Sequence, residues 1–185
     1  MKTRDLAATA IFSALAIVLN FSFRIPDPFA SYLIYQVWEI PILAAFFLFG
    51  YRVLFFVTGV NLVILFLFFQ GSSILGPVYW LVAWLSMMAG VGLIKALLDR
   101  HALRNVAIAA ALYTAFGVAF RTVAMVLVDY SVLRFPPPLG FSMPELAILG
   151  AVPVIAFFNA TLALYTIPIS YSIAQVVARN VRTFR

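Results

Sequence analysis

Apolar residues run along this chain in six long stretches, 6–23, 32–50, 53–69, 78–98, 106–133 and 146–177, separated by short polar breaks. About 20 apolar residues carry a helix across a bilayer, so the pattern predicts six spanning helices joined by short loops. The breaks support this reading. Residues 24–31 (RIPDPFAS) contain two X-Pro steps, which disfavour helix. Gly50, Tyr51 and Arg52 predict a tight turn, and 70–77 (QGSSILGP) an uncharged loop. Residues 99–105 (DRHALRN) form the most polar break, and 134–145 (RFPPPLGFSMPE) hold too many prolines for helix. The sixth stretch is long enough to tilt or kink at Pro153 or Pro168. No small-residue cleavage pattern follows 6–23, so that stretch reads as a span rather than a signal peptide.

Composition sharpens the class. Hydrophobic residues make up 65% of the 185 and charged residues only 10%, against roughly 25% charged in a soluble domain. An all-α integral membrane protein is expected: one six-helix domain over 1–185, multi-pass in the cell membrane, with no soluble domain of its own. Any energy-converting domain would then be another chain. There are no cysteines, which excludes disulfides, thiolate metal sites and cysteine nucleophiles. The net charge of +6 follows from topology. Six spans put both ends on one side, and Lys2, Arg4, Arg52, Lys95, Arg100, Arg104, Arg179, Arg182 and Arg185 then share that side. By the positive-inside rule both termini are cytoplasmic, and nucleic acid is not an expected partner.

Polar residues within the stretches are few. Arg121, near the middle of 106–133, would cost roughly 2.5 to 3.5 kcal/mol if it faced lipid at the bilayer centre, so it implies a polar interior. Asp129, eight residues on, lies roughly 80° round the helix and about 12 Å along, able to share a cavity but not to pair directly. Glu39, Asn20 and Asp129 fall in outer halves of their spans, and Asn61, Arg121 and Asn159 also need an account. Asn61 and Asn159 could simply be interhelical hydrogen bonds, and Glu39 a solvated interfacial acid. Tyr32, Tyr35, Trp38, Tyr79, Trp80 and Trp84 sit near the predicted outer surface, as a belt or as a stacking platform for a planar ligand. A cluster of this kind beneath proline-rich outer loops points to a small-molecule site reached from outside. Ala10 and Ala14 form a small-xxx-small face that lets another helix approach.

Enzymatic signatures are missing: there is no HExxH, no G-x-S-x-G and no phosphate-binding G-x-x-x-x-G-K-[ST]. His101 is the sole histidine and has no second soft ligand, so neither a metal nor a cofactor is expected. Two other classes fit the composition: a stand-alone proton-coupled carrier or channel using Arg121 and Asp129, and a structural membrane protein without a ligand.

The chain resembles the substrate-binding S components of energy-coupling-factor (ECF) vitamin transporters, most nearly the riboflavin-type members. The resemblance rests on Ala10 and Ala14, on Glu39-Ile40-Pro41 through Phe49-Gly50, on Met125 through Asp129-Tyr130, and on Phe158-Asn159. It departs at Asp129, where riboflavin-type members commonly carry Asn, and at Leu162, where they carry Lys. The resemblance implies a vitamin, riboflavin or a related precursor, captured from outside in a pocket of spans four to six and the loop after span one. Trp38, Glu39, Tyr79, Trp80, Arg121, Asp129 and Asn159 would bind or enclose it. A membrane coupling protein would grip Ala10 and Ala14, and two ATPase subunits would supply the energy.

Overall fold

The structure, a computed structural model, describes residues 3–30, 32–68, 75–101 and 105–181. These form helices α1 (Thr3–Ser22), α2 (Glu39–Phe49), α3 (Tyr51–Phe68), α4 (Gly76–His101), α5 (Val106–Val132) and α6 (Glu145–Asn180). Two short strands, β1 (Ile25–Pro26) and β2 (Ile34–Tyr35), pair between α1 and α2. Most of the expected loop 70–77, together with Lys2, Arg104, Arg182, Arg185 and the side chain of His101, lies outside the described residues.

Five of the helices, α1, α3, α4, α5 and α6, are long and apolar enough to cross a membrane, which makes this a multi-pass membrane protein. The second stretch behaves differently. Helix α2 has 11 residues, about 16 Å at 1.5 Å per residue, roughly half a hydrocarbon core. Residues 32–38 look like membrane helix by hydropathy, yet their backbone finds partners in the preceding loop. Asp27 N–H donates to the Leu33 carbonyl at 2.8 Å, Leu33 N–H donates to that of Ala30 at 2.8 Å, and β2 pairs with β1. The helix therefore starts only at Glu39. Pro41 to Phe46 are all buried, as expected of a short helix that is apolar all round. Gly50, at φ 80°, closes it, with its N–H bonded to the Phe46 carbonyl.

The chain divides into two compact units. One holds α1, α2, α3 and the part of α6 from Tyr165 onward. Its first three helices pack against one another, and the Tyr165 hydroxyl donates to the Gln36 carbonyl at 2.5 Å, as Ser170 Oγ does to that of Ile40 at 3.0 Å. Buried Asn61 satisfies its amide within its own helix, on the Val57 carbonyl at 2.9 Å.

The other unit holds the loop Pro26–Tyr35, α4, α5 and α6 up to Leu164. Helix α5 starts on Asn105, whose side chain accepts from the N–H groups of Ala107 and Ile108, an N-cap that satisfies two otherwise orphaned donors. Helices α4 and α5 approach so closely that a Cβ on Gly90 would lie 2.5 Å from the Phe116 carbonyl oxygen. Only glycine fits there. The buried residues of α5 are Ala109, Tyr113, Gly117, Arg121, Met125 and Asp129, every fourth position. Each such step turns about 40° round the helix, so the buried stripe winds along an i+4 ridge and carries both charges inward. At the far end of α5, Leu133, Ile148 and Ile155 form an apolar core packed by Leu33, Val126, Phe141 and Met143.

Candidate functional site

Arg121 is 2% exposed. Its Nε donates to Asn159 Oδ1 at 3.3 Å, and an Nη1 hydrogen reaches Met87 Sδ at 3.7 Å, so α4, α5 and α6 meet at this one guanidinium. Asn159, itself 2% exposed, uses its other amide atom on the Ile155 carbonyl at 3.0 Å. That second bond fixes which way the amide points, with its oxygen toward the cation. The expected interhelical role of Asn159 and the expected burial of Arg121 thus meet in one contact. Met87 is a partner the sequence reading passed over, although it shares the helical face of Trp80 and Trp84.

Asp129 has a different environment. It is 8% exposed, and among the described residues no side chain donates to its carboxylate. Tyr32, from the loop after β1, lies within its electrostatic reach. Burial raises the Tyr32 hydroxyl above its ordinary pKa of 10.0, and the negative charges of Asp129 and then Asp27 raise it further. The Tyr32 hydroxyl is buried and has no hydrogen-bond partner among the described residues.

The connection from Leu133 to Pro144 folds back over this end of α5. Phe141 and Met143 N–H groups both donate to the Leu133 carbonyl, at 3.2 and 3.1 Å. The Tyr79 hydroxyl donates to the Leu139 carbonyl, and the Phe141 ring lies 5.4 Å from that of Tyr32. A Cβ on Gly140 would collide with the Val132 carbonyl oxygen, so the fold-back also depends on a missing side chain.

The expected aromatics separate into roles. Trp80 stacks on Trp84, 6.1 Å between centroids at 15°, and both are buried in the protein rather than displayed as a belt. Tyr35 rests against Phe158 at 4.8 Å and shares a 3.0 Å hydrogen bond with Thr161 Oγ1. Leu162 is fully buried. Trp38 and Glu39 belong to the other unit, 1% and 0% exposed, where Gln36 Nε2 reaches Glu39 Oε1 at 3.5 Å. Glu39 lies in the first turn of α2, where the helix dipole favours an acid. Ala10 and Ala14 lie on the exposed face of α1.

A hollow of about 560 Å³ is lined by Asp27, Phe29 and Tyr35 of the loop and by Pro153, Val154 and Phe157 of α6. None of the seven expected ligand-binding residues lines it. Among the described residues no three acidic or histidine side chains gather as a metal site.

These features define a helical multi-pass membrane protein with a charged, buried interior in one unit. Its fold is similar, over 100% of this chain and 98% of the other, to that of the S component of a bacterial ECF transporter, with a TM-score of 0.67 and 20% sequence identity. No family model and no curated protein sequence matches the chain.

Proposed function

We propose that this chain is the substrate-binding membrane subunit of an ECF-type importer, a binding protein and not an enzyme. The observation that carries this reading is the fold similarity to an S component along the whole chain. The buried Arg121–Asn159 contact and the buried Asp129 supply the polar groups such a site requires. In this reading the termini are cytoplasmic in the cell membrane, and the Asp129 end of α5 faces outward. A small vitamin-class molecule, with riboflavin as the first candidate, enters beneath the 133–144 connection. Arg121, Asp129 and Asn159 bind it, and Tyr79 and Trp80 enclose it. A membrane coupling protein docks on the exposed Ala10 and Ala14 face, and two ATPase chains drive release inward.

The test is direct. The chain is purified in detergent and denatured, and the released small molecules are identified by mass spectrometry. A single stoichiometric compound supports the reading; none, together with no thermal shift on a vitamin panel, opposes it. Ala10→Trp should abolish coupled uptake while leaving binding intact, whereas loss of binding would mean that this face packs internally.

One observation favours a second reading. A buried acid with no side-chain donor among the described residues suits a proton-coupled carrier, with Arg121 as counter-charge. Uptake into liposomes by this chain alone, driven by a pH gradient without ATP, would select it.

A further inference from the structure

We propose that Asp129 and Tyr32 recognise a nitrogen-borne hydrogen-bond donor on the ligand, an amine, an amidine or a protonated heteroaromatic nitrogen. The inference rests on the substrate-binding reading above and names the chemical class that site takes. An ionised carboxylate only accepts hydrogen bonds, and it accepts from cations most strongly. Asp129 is more than nine-tenths buried, and no side chain among the described residues donates to it. Asp129 keeps 8% of its surface exposed, so a group from outside the chain can reach it.

The neighbours narrow the chemistry. The Tyr79 hydroxyl is already spent on the Leu139 carbonyl. The Tyr32 hydroxyl, buried and without a partner among the described residues, is a second polar atom within electrostatic reach of Asp129. A carbonyl or carboxylate brought to Asp129 would meet a like charge or a second acceptor. An N–H group would satisfy the carboxylate and could also donate to the tyrosine oxygen. Asparagine at this position would offer both a donor and an acceptor and so tolerate a carbonyl edge. While ionised, aspartate selects against one.

The experiment compares matched probes on the detergent-purified chain and on its Asp129→Asn variant. Thiamine is set against oxythiamine, and pyridoxamine against pyridoxine, pairs that differ by an amino group; riboflavin and pantothenate complete the panel. In the wild-type chain the amino member of at least one pair binds about ten- to hundredfold more tightly than its partner, the range a charge-assisted hydrogen bond supplies. In Asp129→Asn that preference collapses. Should the variant fail to fold, Tyr32→Phe, which loses one oxygen, must still reduce the preference. Any molecule released from the denatured wild-type chain is scored likewise, and one lacking an N–H donor overturns the proposal. Tight binding of riboflavin or pantothenate that is unchanged by Asp129→Asn overturns the donor class but leaves the substrate-binding reading intact. No binding by any probe, with nothing released on denaturation, sinks both.

Discussion

Helix α5 buries two charges eight residues apart, and the protein treats them in opposite ways. Arg121 is held by Asn159 on α6 and by Met87 on α4. Asp129 lies within electrostatic reach of Tyr32 and has no side-chain donor among the described residues. A satisfied buried ion ties helices together, whereas an unsatisfied one is costly until something binds it. In the proposed reading Arg121 serves both the architecture and the ligand, and Asp129 the ligand alone.

The most disruptive way to probe that contrast is to remove the structural charge. Arg121→Ala should lower the unfolding free energy by about 3 kcal/mol, since it removes a large buried side chain and strips Asn159 Oδ1 of its donor. A double-mutant cycle with Asn159→Ala should give a coupling of about 1 to 2 kcal/mol, read by denaturation in detergent; additivity would deny the contact its role. Next is Gly140→Ala, whose new methyl meets the Val132 carbonyl. It should cost about 2 kcal/mol and loosen ligand retention at the Asp129 end alone.

Asp129→Asn should invert the sign. Without ligand it should leave stability unchanged or raise it by about 1 kcal/mol, because it removes a charge that no side chain among the described residues satisfies. A fall of 2 kcal/mol or more would show a hidden internal donor. The smallest effect concerns Tyr32. Its raised pKa means the folded state holds the phenolic proton more tightly than the unfolded chain. That contribution is whole below about pH 10 and is lost as pH climbs through the raised value. Tyr32→Phe should remove this alkaline component from the stability profile. Asp129→Asn should lower the pH at which Tyr32 ionises, measured by tyrosinate absorbance, because Asp129 is a cause of the shift second only to burial.

Much of the helical framework was legible in hydropathy alone. Helices α1, α3, α4, α5 and α6 begin and end within a few residues of the apolar stretches that predicted them, because apolar length is what a bilayer selects. Residues 32–38 misled for a physical reason: an aromatic, apolar segment can satisfy its backbone by pairing with a loop, and hydropathy does not separate that from helix. Arg121 announced a polar interior from sequence, but its bond to Asn159, 38 residues away, depends on the register between two helices. That no described side chain donates to Asp129 was equally invisible, because it is a property of what surrounds the residue. Trp80 illustrates the converse: expected at an interface, it is buried against Trp84.

Native mass spectrometry of the wild-type chain and of Asp129→Asn, released from the same detergent, tests the central claim most directly. The account predicts one small molecule retained by the wild type and lost from a variant that is folded and at least as stable. A variant that keeps the same molecule with the same occupancy would contradict it.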